Sequence, residues 1–458
     1  MGDLRELILE TAQRVADYRA KLPGADVWPT TSLDELVEGF DRPLSEAGVP
    51  AEQVLDELVA AATPGLVASA GPRYFGFVTG GSLDAALCAD LMAVGWDQLA
   101  YNAVSSPASI AAEVVSGRWL KELLHLPPHA SVGFVTGGQA ANTVALAAAR
   151  GEVLQHAGWD DRAGLFGAPP LRVFVGEERH QTIDRALRLL GIGEASIRPL
   201  ATNGQGALSA IAVRDAFAEP SDAPTIVCTQ AGNVATGAFD EIGAICDLAH
   251  ERGAWVHVDG AFGLWAAASP STRPLIDGYE RADSWATDAH KWLNVPYDSG
   301  LTICAHPDAH TRAMRYTAAY LAGSDATATA GADLTPESSR RARGFAVWAA
   351  IRSLGRSGPA ELVDRCCRLA RRFADELGAA EGVEVLNDVV LNQVLVHFGD
   401  DDRTDRVVER VQRGGTCWVG PTTWRGRRAM RISVSGWLTT DADVDASVAA
   451  MLAAYRSR

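Results

Sequence analysis

Residues Ala282–Gly300 read ADSWATDAHKWLNVPYDSG, and they place His290 and Lys291 side by side in front of an apolar Trp-Leu pair. Two adjacent cations repel each other, and burying either one as a cation costs free energy. The pair is therefore either part of a reactive site or an accident of the sequence. The motifs around it in the rest of the chain decide between these readings.

A second motif, GFVTGGQAANTVALAAAR at Gly133–Arg150, predicts a strand, a Gly-Gly turn and a helix without charge until Arg150. Backbone N–H groups at such a helix start bind phosphate well when no side chain covers them, as at Gly137 and Gly138. An ordinary tight turn before a buried helix has the same pattern. This motif alone therefore leaves both interpretations open.

Two further polar residues follow predicted strands. AWVHVDGAFG (Ala254–Gly263) ends an apolar strand at Asp259, and a buried carboxylate there needs a partner. A pyridinium N–H is one such partner, and a helix cap or a salt bridge is the alternative. His180, a few residues after another strand, either stacks on a flat ring or caps a helix. An amine, a phosphate cradle and a ring partner together indicate a pyridoxal-phosphate site.

The hydrophobic pattern predicts an α/β fold. Between Thr136 and Asp298, short apolar runs at 172–176, 225–230 and 254–260 alternate with amphipathic stretches. Such alternation is typical of a mostly parallel sheet covered by helices, with ligands at the carboxyl ends of its strands. We expect a helical N-terminal arm (1–75), a large cofactor-binding domain (76–345) with a long loop at 309–337, and a small α+β domain (346–458).

The composition excludes several other classes of protein. The chain has 458 residues, is 47% hydrophobic and carries a formal net charge of −16, which disfavours nucleic acid and anionic membranes as partners. No apolar stretch reaches the length of a membrane span, and the N-terminal residues resemble no secretory or transit signal. The seven cysteines show no metal-binding or disulfide spacing. We expect a cytoplasmic protein without a bound metal.

From about Pro72 to the C-terminus the sequence resembles the group II pyridoxal-phosphate-dependent amino acid decarboxylases, which act on aromatic amino acids, glutamate, histidine or tyrosine. HVDGAFG is similar to the family's His-Val-Asp-Ala-Ala-Tyr-Gly, and HKWLNVPYDSG is similar to its His-Lys-Trp-Leu signature. The resemblance implies fold type I, the aspartate aminotransferase-like fold with a seven-stranded sheet. It also implies pyridoxal 5'-phosphate as cofactor and a homodimer with shared active sites.

The resemblance also assigns roles to individual residues. Lys291 would form the Schiff base, Asp259 would pair with the pyridine nitrogen, His180 would stack on the ring and Ala261 would lie beneath it. Tyr320, at 320 − 291 = 29 residues past Lys291, would protonate the product, with Tyr316 as its nearest rival. The remaining cofactor-binding candidates are Gly138, Gln139, Asn233, Thr236, Asp288 and His290. The substrate-pocket candidates are Phe77, Val78, Leu99 and Tyr101, the last two from a partner subunit.

The expected reaction is decarboxylation of an aromatic or hydrophobic L-amino acid to its amine and carbon dioxide. Three departures from the family leave the substrate open: Val78 in place of a proline, Gly260 in place of an alanine, and Asp288 in place of a frequent asparagine. Arg431 keeps an aminotransferase in consideration, and Arg73 could pair with an acidic substrate. A C–C lyase and a decarboxylating amine oxidase are further alternatives on the same scaffold.

Overall fold

The computed structural model describes residues 3–44, 46–315 and 331–457. They form two compact units. The larger unit contains Gly80–Arg371 and Asn387–Val394, and the smaller unit contains Met1–Thr79, Arg372–Leu386 and Leu395–Arg458. The expected three-part division at residues 75 and 345 stays a prediction. The two units differ from it by grouping the N-terminal arm with the C-terminal strands.

Helices account for much of both units, and side-chain caps mark the N-termini of several of them. Ser32 and Glu35 form a capping box at the start of the second helix, and Thr440 and Asp443 form another at the start of the last. The helices are α1 (Leu4–Lys21), α2 (Leu33–Phe40), α3 (Ala51–Ala62), α4 (Asp84–Gly95), α5 (Pro107–Leu123), α6 (Gly138–His156), α7 (Gln181–Leu189), α8 (Ala210–Phe217), α9 (Ile242–His250), α10 (Pro307–Met314), α11 (Gly344–Leu354), α12 (Gly358–Gly378), α13 (Asp401–Arg413) and α14 (Asp441–Arg456).

A seven-stranded sheet forms the centre of the larger unit. Its order is β1-β7-β6-β5-β4-β2-β3, and only β7 runs antiparallel to its neighbours. The predicted mostly parallel sheet of an α/β fold is therefore confirmed. The strands are β1 (Ser131–Val135), β2 (Arg172–Gly176), β3 (Ile197–Leu200), β4 (Thr225–Gln230), β5 (Trp255–Asp259), β6 (Ser284–Asp288) and β7 (Gly300–Cys304).

Helix α6 packs directly on this sheet because its small residues allow close approach. Val144 and Ala141 of α6 join Val135 of β1 and Ala286 of β6 in one buried cluster. The Ala-rich sequence that carries no charge until Arg150 is therefore a core helix. Its N-terminus lies at the edge of the sheet where the parallel strands end.

The smaller unit carries a four-stranded sheet of order β10-β11-β9-β8. Its strands are β8 (Val383–Val385), β9 (Gln393–Phe398), β10 (Gly420–Trp424) and β11 (Arg427–Ser433). Helices α1–α3 also belong to this unit, and none of them has a fully buried residue. The expected small α+β fold near the C-terminus thus appears as an antiparallel sheet with helices.

Part of the loop expected at 309–337 is regular structure, and residues 316–330 of it lie outside the described residues. Helix α10 continues to Met314, and a short 3₁₀ turn covers Gly331–Leu334. Buried His310 on α10 contacts Ser131 Oγ through Nδ1 at 2.8 Å and the Leu334 carbonyl through Nε2 at 3.0 Å. The sequence pattern missed this helix because it is short and mostly polar.

Among the described residues, no helix has the length and apolar character needed to cross a membrane.

Candidate active site

The polar residues of the predicted site converge at one edge of the seven-stranded sheet. Asp259 is the last residue of β5, and Asp288 is the last residue of the adjacent parallel strand β6. Gly138 begins α6 directly after β1, and Gly300 begins antiparallel β7. Carboxyl ends of parallel strands are the usual ligand-binding edge of such a sheet.

Lys291 is not an isolated cation. Its Nζ lies 2.7 Å from Asp288 Oδ2, while Asp288 Oδ1 accepts a hydrogen bond from the Gly138 backbone N–H at 2.5 Å. Asp288 is almost fully buried, whereas Lys291 remains partly accessible. The Lys291 amine and the N-terminus of α6 therefore both contact the Asp288 carboxylate.

His290 is held as a neutral ring beside this cluster. Burial lowers the pKa of His290, and the nearby charge of Lys291 acts in the same direction. Its Nδ1 accepts a hydrogen bond from the Ser299 N–H at 3.1 Å, which leaves Nε2 facing Asp288 at 3.5 Å. The lowered pKa favours the neutral His290 ring beside the Lys291–Asp288 ion pair of the opening motif.

Glycines make the close approach at this edge possible. A Cβ on Gly300 would lie 2.4 Å from the Gly137 Cα, and a Cβ on Gly138 would lie 2.9 Å from Asp288 Oδ2. Gly80 approaches the turn from another side, since a Cβ there would lie 1.7 Å from the Lys291 carbonyl oxygen. The backbone near the start of α6 would therefore have to move to accommodate a side chain at Gly300 or Gly80.

Asp259 is buried with 4% of its surface exposed, and its carboxylate accepts two neutral hydrogen bonds. Asn142 Nδ2 donates to Oδ2 and the Ala261 N–H donates to Oδ1, each at 3.2 Å. In the described parts of the chain, no cation forms an ion pair with this carboxylate. Asn142 was not among the predicted residues, because an asparagine within an apolar helix gives no signal of the carboxylate that it contacts.

The other predicted cofactor residues lie around this centre with different partners. His180 caps α7, is exposed, and contacts the Thr182 hydroxyl through Nδ1 at 2.9 Å. Gln139 donates from Nε2 to Thr143 Oγ1 and to the Thr182 carbonyl, and its buried Oε1 has no hydrogen-bond partner among the described atoms. Helix α6 and the start of α7 thus approach each other beside Asp259.

Asn233 and Thr236 build the loop after β4. The Asn233 side chain donates to the Glu178 carbonyl at 3.1 Å and accepts from the Ala235 and Thr236 N–H groups, while the Thr236 hydroxyl donates to the Gln205 carbonyl at 2.7 Å. These hydrogen bonds shape the loop and do not join the Lys291 cluster. A cofactor-binding role for the two residues stays a prediction.

The predicted substrate-pocket residues divide between the two units. Phe77 and Val78 belong to the smaller unit, where both have positive φ angles (53° and 60°) and Phe77 stacks on Trp418 with 63% of its surface exposed. Positive φ is strained for such residues, and strain of this kind collects at functional segments. Leu99 and Tyr101 belong to the larger unit. Tyr316 and Tyr320 lie outside the described residues.

The two arginines considered as substrate ligands differ in their surroundings. Arg73 donates to the Thr416 carbonyl at 2.7 Å and to Asp443 at 3.3 Å, so the smaller unit already uses its guanidinium. Arg431 lies on β11, and burial lowers the pKa of its guanidinium. Arg73 is therefore not a free surface residue, and its guanidinium is already occupied by protein groups instead of facing an acidic substrate.

These residues fit pyridoxal phosphate. Lys291 offers an amine for the aldehyde, the Gly138 N–H already holds an anionic oxygen as it would hold phosphate, and buried Asp259 lacks the cation that a pyridinium N–H would provide. Among the described residues, no group of three His, Cys, Asp or Glu side chains is placed to hold a metal ion. The site is built for an organic cofactor.

Comparison with known proteins agrees with this geometry. Residues 34–398 match the family model described as the pyridoxal-dependent decarboxylase conserved domain. Tryptophan decarboxylase 1 of Oryza sativa subsp. japonica is 28% identical over 95% of this chain and 90% of its own length, and a phenylacetaldehyde synthase of Arabidopsis thaliana is 25% identical over 86% and 84%. The crystal structure of Oryza sativa TDC with PLP and tryptamine superposes with a TM-score of 0.92 at 26% identity, covering 99% of this chain and 97% of that chain. The chain is therefore a pyridoxal-phosphate enzyme of fold type I and belongs to the pyridoxal-dependent decarboxylase family.

Proposed function

We propose that this enzyme decarboxylates an aromatic L-amino acid to the corresponding amine, with Lys291 as its cofactor-binding lysine. One observation carries the proposal: Lys291 Nζ and the Gly138 N–H meet on the Asp288 carboxylate, 2.7 and 2.5 Å away, at the carboxyl edge of the sheet. This arrangement brings the amine that an aldehyde needs to the backbone donor that a phosphate needs.

Bound pyridoxal phosphate supplies an electron sink for the negative charge left on the α-carbon when carbon dioxide departs. The protein provides the orientation. Lys291 would hold the aldehyde carbon, Asp259 would keep the ring nitrogen protonated, and His180 would cover one face of the ring. Ala261 would leave room beneath the other face, and the Gly138 and Gln139 N–H groups would hold the phosphate.

The preference for an aromatic substrate has two supports. The predicted pocket residues Phe77, Val78, Leu99 and Tyr101 are all apolar or aromatic, and residues of these types favour a large apolar side chain. Both named relatives also act, by name, in aromatic chemistry, one as a tryptophan decarboxylase and one as a phenylacetaldehyde synthase. Arg73 does not argue for an acidic substrate, because its guanidinium already binds Thr416 and Asp443.

The second candidate is an oxygen-dependent conversion that releases an aldehyde. The similarity to a phenylacetaldehyde synthase supports this second candidate. Tyr320 is the residue expected to decide between the two outcomes, since a proton donor at the α-carbon commits the reaction to amine. The presence of a tyrosine at this spacing from Lys291 supports the amine-forming reaction.

We further propose a homodimer. The larger unit exposes large apolar side chains on α4, in the residue that follows α4, and on α5 and α11, and α4 and α5 both pack against α11. Exposed large apolar side chains on neighbouring elements are typical of a protein–protein interface. We name this surface the α4–α11 face, and its exposed members are Leu91, Met92, Val94, Trp96, Val114 and Trp348.

We also propose a cytoplasmic location. All seven cysteines are unpaired, and six of them are buried. Unpaired cysteines are typical of a reducing compartment. Fractionation of cells that produce the protein at native level would place it in the cytosolic fraction if this is correct, and in another fraction if it is not.

The test of the activity is amine and carbon dioxide release by cofactor-loaded protein from a panel of the standard amino acids, with oxygen and without. The proposal expects both products from an aromatic L-amino acid without oxygen. Carbon dioxide release that requires oxygen would replace it with aldehyde synthesis. Amino-group transfer to a keto acid without carbon dioxide release would reject decarboxylation by this site.

A further inference from the structure

Asn142 lies at the centre of a buried hydrogen-bond chain behind the proposed site. It belongs to α6, only 1% of its surface is exposed, and its side chain contacts three residues on two other elements, β5 and α7. Nδ2 donates to Asp259 Oδ2 and to Thr182 Oγ1, each at 3.2 Å, and Oδ1 lies 2.9 Å from His257 Nε2. A buried amide with every donor used is costly to assemble and specifies one arrangement.

The direction of each hydrogen bond in this chain follows from its chemistry. The Trp255 indole N–H, which can only donate, gives its hydrogen to Ser284 Oγ at 2.9 Å. The remaining directions follow from the other end of the chain, because the Asp259 carboxylate can only accept and the Asn142 NH₂ group therefore faces it. Asn142 Oδ1 then accepts from His257 Nε2–H at 2.9 Å, and Nδ1 of the neutral ring accepts from the Ser284 hydroxyl, also at 2.9 Å.

His257 suits this task because it stays neutral. It is fully buried, and burial lowers its pKa to about 3. A neutral ring with Nδ1 occupied as acceptor has one donor only, and that donor faces Asn142. The reversed orientation of the Asn142 amide would set Oδ1 against the Asp259 carboxylate and NH₂ against the His257 N–H, and both contacts would be repulsive.

The chain has a second branch toward His180. Thr182 Oγ1 accepts from Asn142, so its own hydroxyl hydrogen is directed at His180 Nδ1, 2.9 Å away. The Thr182 backbone N–H also donates to His180 Nδ1, at 3.3 Å. With Nδ1 accepting twice, the proton of neutral His180 lies on Nε2. Asn142 therefore contacts both residues predicted to flank the cofactor ring, Asp259 directly and His180 through Thr182.

We infer that Asn142, oriented by His257, is a positioning residue that holds Asp259 as an aligned carboxylate and fixes the Thr182 hydroxyl beside His180. This inference rests on the proposed roles of Asp259 and His180 and deepens them. In the described structure the two donors to Asp259 are Asn142 and the Ala261 N–H. Loss of Asn142 leaves the carboxylate with one donor and freedom to turn.

The experiment compares Asn142→Leu with the wild type in cofactor affinity, in the visible absorbance of the bound cofactor, and in kcat and KM. Leucine keeps the branched shape and the number of heavy atoms of the side chain and removes every hydrogen bond. We expect cofactor affinity and kcat each to fall about 10- to 100-fold, the size of one hydrogen bond to a charged group, with a shifted absorbance and little change in KM. The matched control is Thr302→Val, because that buried hydroxyl has no hydrogen-bond partner among the described atoms.

His257→Phe provides the second variant and remains decisive if Asn142→Leu does not fold. It removes the donor that orients the amide, so we expect the same changes at smaller size. Because both residues act through one contact, the double variant should be no worse than Asn142→Leu alone. Additive losses in the double variant, or an Asn142→Leu protein that matches Thr302→Val in absorbance and affinity, would overturn the inference.

Asp259→Asn separates this inference from the proposed function. If Asp259→Asn loses cofactor affinity and alters the absorbance while Asn142→Leu does neither, the role of Asn142 is rejected and that of Asp259 stands. If Asp259→Asn itself retains wild-type affinity and absorbance, the proposed role of Asp259 fails, and the inference fails with it.

Discussion

Lys291 reaches the sheet edge beside a carboxylate, and this neighbour explains how a lysine next to a histidine is tolerated there. Asp288 pairs with Lys291 and also accepts from the start of α6, while burial keeps His290 neutral. The lysine is therefore held in place through its charge and not through apolar packing. The sequence predicted a reactive role for Lys291. The contact between Lys291 and Asp288 is visible only in the folded structure.

Tyr320→Phe tests the residue expected to protonate the product. Removing the hydroxyl should suppress amine formation and divert part of the reaction toward aldehyde when oxygen is present, because the carbanion then lacks its proton donor. Product analysis with and without oxygen measures this ratio. Tyr316→Phe is the matched control in the same segment. An unchanged amine yield in Tyr320→Phe, with a reduced yield in Tyr316→Phe, would assign the role to Tyr316.

At the scale of elements, one buried ion pair connects α5 with the segment before α11. The Arg340 guanidinium binds Glu113 through two hydrogen bonds of 2.5 and 2.7 Å, with side-chain exposures of 2% and 7%. Burial raises the pKa of Glu113, and Arg340 opposes that shift. Arg340 also donates to the Phe134 carbonyl of β1 at 3.2 Å, so the pair links three parts of the larger unit.

Glu113→Ala should lower the free energy of unfolding by about 3–5 kcal/mol, because it leaves the Arg340 charge buried without its partner. Denaturant unfolding measures the loss. The control is Glu219→Ala, which breaks the similarly two-pronged but exposed pair with Arg198 and should leave the free energy of unfolding almost unchanged. Equal costs for the two variants would contradict the structural role given to the buried pair.

A second group of charges links α9, β5 and the strand-to-helix junction after β7. Asp283 binds His250 at 3.0 Å, His306 at 2.8 Å and the Val256 N–H at 2.7 Å. These contacts raise the pKa of both histidines. Burial alone would raise the pKa of Asp283, but the hydrogen bonds from the histidines bring it below its ordinary value.

Asp283→Asn should therefore destabilise the protein more at about pH 6 than at about pH 9. A histidine with a raised pKa contributes stability below its unfolded-state pKa, and this contribution is lost as the pH rises through the folded-state value. The stability that comes from the lowered pKa of Asp283 is present at both pH values. It therefore does not reverse the greater loss expected at about pH 6. Thermal unfolding at the two pH values measures the difference. Asp215→Asn, at an exposed pair, should show none, and an equal loss at both values for Asp283→Asn would contradict the account.

The elements that the sequence predicted well are those with uninterrupted apolar character. Strands β2 and β4 have the predicted limits, because each is a short run with a fully or mostly buried pattern. Strand β6 was missed because SWATD is largely polar and lies inside the lysine motif. Strand β3 was missed because Pro199 argues against a strand, yet β3 is an edge strand, where proline is tolerated.

At the scale of the whole molecule, the motifs that carry chemistry were predictable and the residues that support them were not. Gly138, Asp259 and Lys291 stand next to recognisable strand ends or glycines, so local sequence reveals them. Asn142 reaches Asp259 across 117 positions of sequence. Such a contact depends on how α6 packs on the sheet, and no local pattern records it.

The proposed dimer is tested by charging the α4–α11 face. Sedimentation should show a wild-type dimer, and the double variant Met92→Glu/Trp348→Glu should dissociate it and abolish activity, because Leu99 and Tyr101 are expected to act in the partner's site. Both side chains are exposed in the single chain, at 48% and 40%, so the variant should remain folded. Ile211→Glu, on exposed α8, is the control. An active wild-type monomer would reject the shared site.

The most direct test of decarboxylation at Lys291 uses an aromatic L-amino acid with an isotopic label in its carboxyl group. Cofactor-loaded wild-type protein should release the label as carbon dioxide, with one amine formed for each, and Lys291→Ala should release none and lose the absorbance of the lysine-bound cofactor. Label release by Lys291→Ala at the wild-type rate would contradict the account.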